Sequence, residues 1–488
     1  MNEVNRYEIN LKQEIFSGTF WSGGGQVLST IIRFCSFLVL ARLLPASFIG
    51  LLGLSAVIIP IFRDLSYIGV NAALVQKDKI DDIDLSTTFW FAGIVGLLLS
   101  PIVFFGSEFL ATLLGNLRFE LLLKMIAVLI PINAFSMIPQ SLLTRKLKFA
   151  QLSLRDVAGE IGFAVIGITF AILNMGIWSL VGALSAQWVC RAAVMWIYEP
   201  YIPVFRFEIE RLKRLFRFSF WMFVNSFWGR LMENVDYLLI SRFLGATALG
   251  YYTLAFQLVI LPVQRAAAIL SRVLFPSLSK IQHQIDRLKH SFLKIVKMLI
   301  LVLFPVSALF ILEAHNIVPL LYSEKWIPAV PVVRILGLAS FFYVLIIMDS
   351  MLQAIGKPDL WFVVIFIKGM SIIILAYLWG LEKGVTGMAF CIAGAAAITF
   401  IIQIYILLKK LKISLIEFMQ TLYIPSLAII LSSLLIWMLT DFTSAWPRLI
   451  NVVVITLVFA ILYGSMIFPW YSREFRHIVL LVKSAAQK

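Results

Sequence analysis

The feature that most narrows what this chain can fold into is a recurring apolar run of about 20 residues, the length needed to cross a bilayer as a helix. Such runs lie near 16–40, 51–73, 86–107, 121–143, 157–175, 176–198, 218–241, 250–275, 292–312, 331–353, 359–380, 384–407, 421–440 and 448–468. Short polar turns separate most of them, the shortest at Asn174-Met175-Gly176 and Glu382-Lys383-Gly384. None shows the ten-residue alternation of an outer-membrane strand. The expected fold class is therefore all-α: a polytopic membrane protein of about 14 transmembrane helices. Composition agrees, with 61% hydrophobic and 14% charged residues, against about 45–50% and about 25% in soluble domains.

The net charge of +15 has two readings, a nucleic-acid surface or the excess of Lys and Arg that marks cytoplasmic loops. Position separates them. With the N-terminus placed inside, the inner segments carry Arg6 and Lys12; Lys77 and Lys79; Arg145, Lys146, Lys148 and Arg155; Arg206, Arg211, Lys213, Arg214 and Arg217. They continue with Arg272, Lys280, Arg287, Lys289, Lys294 and Lys297; Lys357; Lys409, Lys410 and Lys412; Arg473, Arg476, Lys483 and Lys488. That places about 27 basic residues inside, roughly 8 outside and about 6 within spans. The charge is topological: both termini are expected in the cytoplasm, with no nucleic-acid partner. The polar first 15 residues, with no A-x-A site after the first run, do not read as a signal peptide. Cys35, Cys190 and Cys391 each fall inside a run and are expected to be buried small apolar residues. His283, His290, His315 and His477 have no ligand spacing, so no metal site is expected.

The chain also repeats itself at an offset of 200 residues. Phe16-Ser17-Gly18-Thr19-Phe20-Trp21 matches Phe216-Arg217-Phe218-Ser219-Phe220-Trp221, and Ala41-Arg42-Leu43-Leu44-Pro45-Ala46 up to Gly50 matches Ser241-Arg242-Phe243-Leu244-Gly245-Ala246 up to Gly250. A weaker echo links Ser107–Gly115 with His315–Tyr322. Six spans form an even-numbered unit, so the two copies point the same way about an axis along the membrane normal. The expected organisation is an N-lobe over 1–200, an amphipathic cytoplasmic linker over 201–217, a C-lobe over 218–413, and a final helix pair with a cytoplasmic tail over 414–488.

Ionised side chains inside spans cost about 2.5–3.5 kcal/mol each on an insertion scale, yet Arg33, Arg63, Arg230 and Arg265 all lie well inside. They must face a polar interior. In the first span Ser22, Gln26, Ser29 and Arg33 form a stripe at i, i+4, i+7 and i+11. In the seventh, Ser226, Arg230, Glu233 and Tyr237 repeat that spacing, flanked by Asn225, Gly229 and Asp236. Gln257, Gln264 and Arg265 extend the polar set into the eighth. The expectation is a cationic cavity lined by Arg33, Arg63, Arg230, Arg265, Gln26 and Gln264, with Asp64, Glu233 and Asp236 as coupling or ion-pair residues. Arginine rather than lysine at these depths suits a phosphate, which guanidinium grips in a bidentate way. Structural ion pairs, Arg63–Asp64 and Arg230–Glu233, are the competing account. Arg191 and Lys368 are weaker cavity candidates; Asp349 and Glu160 are either proton carriers or helix-end contacts. Gly23-Gly24-Gly25 marks a bend or a close helix contact.

These residues resemble a known family. Ala41 to Leu51 (ARLLPASFIGL), Arg63-Asp64-Leu65 and Gly69 to Gln76 (GVNAALVQ) are similar to the N-terminal signature of Wzx-type polysaccharide flippases of the multidrug/oligosaccharidyl-lipid/polysaccharide exporter superfamily, in the branch with colanic-acid exporters. The resemblance implies two six-helix lobes in a V around a central cavity in the bacterial inner membrane. It implies transport of undecaprenyl-pyrophosphate-linked oligosaccharide from the cytoplasmic to the periplasmic leaflet by alternating access, for exopolysaccharide, capsule or O-antigen synthesis. It places Arg33, Arg63 and Arg265 on the pyrophosphate. The partners are then the lipid-linked oligosaccharide, membrane lipids and the polymerase and export machinery. No Walker A motif is present, so no cofactor is expected and the drive would be H+ or Na+ coupling or consumption of the product. Two alternatives stay open: a multidrug or cation antiporter of the same superfamily, and a membrane glycosyltransferase or polymerase. The first conflicts with a cationic cavity; the second needs catalytic groups on a large external loop, and Glu313–Val330 supplies only one His and two Glu.

Overall fold

Apolar runs with no water to satisfy their backbone must close their hydrogen bonds within themselves, and every element among the described residues is a helix. The computed structural model describes residues 3–77, 80–265, 278, 281, 284–343, 348, 351–352, 358–443 and 446–486. The chain divides into two compact units, 1–250 and 251–488.

The first unit holds α1 (Glu3–Leu43), α2 (Ala46–Leu65), α3 (Val70–Gln76), α4 (Asp82–Phe105), α5 (Ser107–Leu113), α6 (Phe119–Phe135), α7 (Met137–Arg145), α8 (Phe149–Ile172), α9 (Trp178–Tyr198), α10 (Ile209–Glu233) and most of α11 (Val235–Ala255). Its tightest pairing is the α8–α9 hairpin, onto which α1 packs. Small residues make the approach possible, as at other membrane helix seams. A Cβ on Gly162 would lie 2.8 Å from Cys190 Sγ, and one on Gly167 2.9 Å from Ala183 Cβ. At the α1 crossing a Cβ on Gly25 would meet Ser153 Cβ at 2.4 Å, while Gly23 and Gly24 face open space. The glycine run thus serves a close helix contact through its last member.

The second unit is built on the long α12 (Ile285–Tyr322). Against it pack α13 (Val330–Tyr343), α15 (Gly384–Leu411), and the pair α16 (Leu415–Thr443) and α17 (Arg448–Ala486), while α14 (Pro358–Leu375) packs on α15. One core gathers Phe292, Val296, Ile300, Leu407 and Phe418; another gathers Leu301, Ile436, Ile455 and Phe459. Ser414 and Glu417 form a reciprocal cap on α16, each accepting the other's backbone N–H at 3.1 Å. Glu417 is also 2.8 Å from Lys289.

Eleven helices among the described residues are each long and apolar enough to span a membrane, and the α6–α7 pair, bent by 44°, makes a twelfth. That is fewer than the 14 runs of the sequence. The runs at 157–175 and 218–241 are helical, but α8 carries Arg155, Asp156 and Glu160, and α10, which ends at Glu233, mixes Arg217 and Arg230 with Asn225, serines and tryptophans. These polar residues keep both out of the set. Burial differs from expectation for the cysteines: Cys391 is buried, Cys190 half-buried and Cys35 exposed. Cys35 lies two residues past Arg33, about 200° further round the helix.

The repeat is visible in the backbone. The α1–α2 break falls at Leu44-Pro45, and 200 residues on α11 is broken at Gly245, whose φ is +81°. The two A-x-x-x-G motifs that follow, Ala46–Gly50 and Ala246–Gly250, lie on each other in the first unit. A Cβ on Gly50 would be 2.0 Å from the Ala246 carbonyl oxygen, and one on Gly250 1.9 Å from that of Ala46. The contact is reciprocal, as a local two-fold between equivalent segments requires. Beside it Ser241 Oγ donates to the Leu114 carbonyl at 2.8 Å, and Arg242 donates to the Thr112 carbonyl at 2.8 Å.

The segment from Glu199 to Glu208 is pinned along α4. Tyr201 meets Ser86 Oγ at 2.9 Å, the Val204 N–H donates to the same oxygen at 2.9 Å, and Trp90 Nε1 donates to the Val204 carbonyl at 3.1 Å. Arg211 closes the end, pairing with Asp81, with Asp84 at 3.3 Å and with Glu208 at 2.6 Å. Hydrogen bonding from Arg211, with the Asp84 backbone N–H, holds the Asp81 carboxyl down at about 2. At Glu199 burial pushes the carboxyl up, but Lys146 and Lys148 outweigh it and the group ends below its ordinary value. A carboxyl held low in the folded state stabilises above its unfolded value, near 4, and loses that contribution as pH falls through its folded value. We expect the protection of residues 200–208 from hydrogen exchange to decline between about pH 4 and about pH 2. In Arg211→Ala, exchange there should be several-fold faster at neutral pH, and the decline across that window should flatten. Unchanged exchange in the variant would remove Arg211 from this role.

Candidate functional site: two arginine–carboxylate clusters

The first cluster joins the end of α2 to α10. Asp64, 14% exposed, lies between two guanidiniums: Arg63 Nε at 3.2 Å from Oδ1 and Arg230 Nε at 2.8 Å from Oδ2. The Tyr67 hydroxyl donates to the same Oδ1 at 3.1 Å. The Arg63–Asp64 pair expected from adjacency is present. Arg230, however, pairs with Asp64 rather than with Glu233. α10 ends at Glu233, and Asn234 caps it, its N–H and Nδ2 donating to the Arg230 carbonyl at 3.2 and 2.8 Å. The stripe Ser226–Arg230–Glu233–Tyr237 therefore does not continue along one helix. Glu233 is exposed, whereas Tyr237 and Asp236 beyond the break are buried.

One carboxylate against two guanidiniums leaves a net charge of +1. Each guanidinium carries five donors, and both arginine side chains are 38% exposed. The donors not spent on Asp64 form a pre-oriented pair suited to an oxyanion, with Asp64 holding them side by side against their mutual repulsion.

The second cluster lies among α1, α8 and α9. Glu160, near the middle of α8, accepts from Gln187 Nε2 and from Arg191 Nη2, both at 3.0 Å and both on Oε1. Arg155 pairs with Asp156 at 2.8 Å, and Asp156 is 3.9 Å from Arg191 Nε. Arg33 is near enough to Arg191 for their charges to interact. Its own stripe is partly satisfied along the helix, since Ser29 and Thr30 both donate to the Gln26 carbonyl, at 3.0 and 2.7 Å.

Of the predicted residues, the structure brings Arg63, Asp64 and Arg230 together and places Arg33 within charge range of Arg191. Gln264 and Arg265 are half-buried residues of the second unit, on the helix that continues from α11. Gln26, Glu233, Asp236 and Arg265 all make interactions of their own. Lys368, also in the second unit, lies 4.6 Å from the centre of the Tyr343 ring, a cation–π contact. Asp349 lies outside the described residues. Gln187 and Asp156 were missed: a glutamine and an acid on separate apolar helices carry no spacing signal until those helices pack.

Comparison with known proteins follows this geometry. The solved structure titled lipid II flippase MurJ, inward closed conformation, superposes with a TM-score of 0.76 at 18% identity, covering 93% of this chain and 99% of that one. The fold is thus that of a multi-pass membrane transporter. The teichuronic acid biosynthesis protein TuaB of Bacillus subtilis is 26% identical over 426 residues, 86% of this chain and 87% of its own. The lipopolysaccharide biosynthesis protein WzxC of Escherichia coli is 26% identical over 361 residues, 72% of this chain and 70% of its own. A family model described as "Polysaccharide biosynthesis protein" matches residues 39–331, from the end of α1 to the start of α13 and through both arginine–carboxylate clusters. The chain belongs to the polysaccharide biosynthesis protein family.

Proposed function

We propose that this protein flips a polyprenyl-pyrophosphate-linked oligosaccharide, of the undecaprenyl type, from the cytoplasmic to the periplasmic leaflet of a bacterial inner membrane, supplying surface polysaccharide synthesis. The observation that carries the reading is the Arg63–Asp64–Arg230 cluster. Two guanidiniums share one carboxylate where the end of α2 meets α10, and they keep a surplus positive charge. Such a site attracts a phosphate-bearing headgroup and repels the cations handled by drug antiporters. The family, and a fold shared with a lipid II flippase, support the same substrate class. Alternating access between repeat-related halves, with both termini in the cytoplasm, would carry the headgroup across while the polyprenyl tail stays in lipid. Drive would come from an ion gradient or from consumption of the product.

The test is complementation of a strain lacking the gene. Arg63→Ala, Arg230→Ala, Arg33→Ala and Arg265→Ala are each expected to lower surface polymer at equal protein abundance, by about tenfold or more for loss of a charge-assisted phosphate contact. Lipid-linked intermediate should accumulate in step. Full export from Arg63→Ala and Arg230→Ala together would overturn the cavity assignment. Dye efflux by the purified protein in proteoliposomes, without movement of a lipid-linked sugar, would favour the antiporter instead.

A further inference from the structure

The Glu160 cluster has a feature that structural pairing leaves unexplained. Glu160 is 4% exposed, and both of its donors bind Oε1. The other oxygen, Oε2, is buried with no hydrogen-bond partner, as is Nε of Arg191. A carboxylate held for stability would spread its donors over both oxygens, because an unsatisfied buried acceptor loses its hydration without return. The arginine is laid over a gap made for it: a Cβ on Gly159 would sit 2.6 Å from Arg191 Nε and 2.7 Å from its Cγ. The outer part of the arginine is reachable, its side chain 33% exposed. So one end of the pair is sealed and lacks a partner, and the other is one-third exposed.

We propose that Glu160 and Arg191 form a proton-switched binding site for a phosphate or pyrophosphate group, which rests on the reading of the protein as a carrier of pyrophosphate-linked lipid. The charged groups around Glu160 are Arg191 on α9, Asp156 and Arg155 on its own helix, and Arg33 on α1. Three arginines and two acids sum to +1. An oxyanion arriving at the exposed edge of Arg191 competes with Glu160 for the guanidinium. When Arg191 turns to the anion, Glu160 is left buried with only Gln187, and a buried carboxylate without its cation neutralises by taking a proton. Oε2 receives that proton, which comes from water at the open side of the cluster. The charge facing the anion then rises by one. Loss of the proton restores the Glu160–Arg191 pair and releases the anion. Binding of one anion is thereby tied to uptake of about one proton, and by linkage acid pH tightens anion binding. A metal cation fits poorly, since a guanidinium nitrogen already lies 3.0 Å from Oε1 and no metal-holding group of His, Cys, Asp and Glu occurs among the described residues.

The test uses the full-length protein in lipid nanodiscs and calorimetry in buffers of different ionisation enthalpy, with inorganic pyrophosphate and a short polyprenyl pyrophosphate as probes. The wild type should take up about one proton more per bound anion than Glu160→Gln, the variant serving to subtract protons carried by the anion itself. Glu160→Gln should bind about tenfold tighter than wild type in alkaline buffer, with the gap narrowing as pH falls, while Arg191→Gln should lose about tenfold or more throughout. Tighter binding of the polyprenyl probe identifies the lipid headgroup as the ligand; equal binding of the two identifies the free anion. As a measurement that needs no variant, a protonated-carboxyl infrared band should appear in the wild type on adding pyrophosphate. Equal proton uptake in Glu160→Gln, unchanged binding in Arg191→Gln, or no such band would overturn the switch and leave the carrier reading intact. Absence of binding of either probe to the wild type would also overturn it, and the export assay would still decide the carrier reading.

Discussion

Replacing Asp64 by asparagine is expected to destabilise the protein by about 2 kcal/mol and to lower its thermal midpoint in detergent. The substitution leaves Arg63 and Arg230 facing each other without the negative charge that separates them, and it replaces one of the two acceptor oxygens by an amide that donates toward a guanidinium or the Tyr67 hydroxyl. Breaking a fully buried pair costs about 3–5 kcal/mol, and an exposed pair is worth under about 1 kcal/mol. Asp64 is 14% exposed and the arginines 38%, which places the cost between the two. Adding Arg230→Gln should recover part of the loss, because the second change removes the repulsion that the first created. A double-mutant cycle should then give a coupling of about 1–2 kcal/mol. An unchanged midpoint for Asp64→Asn would show that the contact carries no stability. Additive effects in the cycle would show that the two residues act apart.

The larger effect is expected at the crossing of the two repeat motifs. Alanine at Gly50 or Gly250 would put a methyl group 2.0 or 1.9 Å from a backbone carbonyl oxygen. A side chain could rotate away, but a helix backbone cannot. The helices must separate, at a cost of about 3 kcal/mol or more in lost packing. Little folded Gly50→Ala or Gly250→Ala protein should reach the membrane, measured as abundance and as a monodisperse peak after extraction. Gly23→Ala and Gly229→Ala are the internal controls. Both sit in helices with nothing within 4 Å of the added atom, so they should not destabilise the protein and should gain up to about 1 kcal/mol from alanine's higher helix propensity. Normal yields of Gly50→Ala would show that the close approach is dispensable.

Both results bear on how much could be read before the fold was known. The offset of 200 identified Gly50 and Gly250 as equivalent, and the break before each motif is where the apolar runs pause. That the two motifs touch does not follow from their being alike; it follows from how α2 and α11 cross. The Arg63–Asp64 pair was legible because its members are neighbours. The stripe Ser226–Arg230–Glu233–Tyr237 presumes a continuous helix, and Asn234 interrupts it before Tyr237, while the Asp64 that Arg230 meets comes from α2. A polar residue that caps a helix inside an apolar run looks like any other polar residue in the run. Glu160 and Arg191 were both noticed, but with no reason to join them across 31 positions.

Sequence alone determined that this is an all-helical membrane protein built from a repeat, and which side chains are too costly to leave in lipid. Hydropathy and charge act residue by residue and accumulate along the chain, so they survive without coordinates. Which arginine meets which carboxylate was decided by tertiary structure. An ion pair depends on a few ångströms between helices, and those distances are set by glycines, breaks and crossings that the apolar pattern does not encode. The paired and unpaired oxygens of Glu160 differ by one such detail, the way Arg191 crosses Gly159.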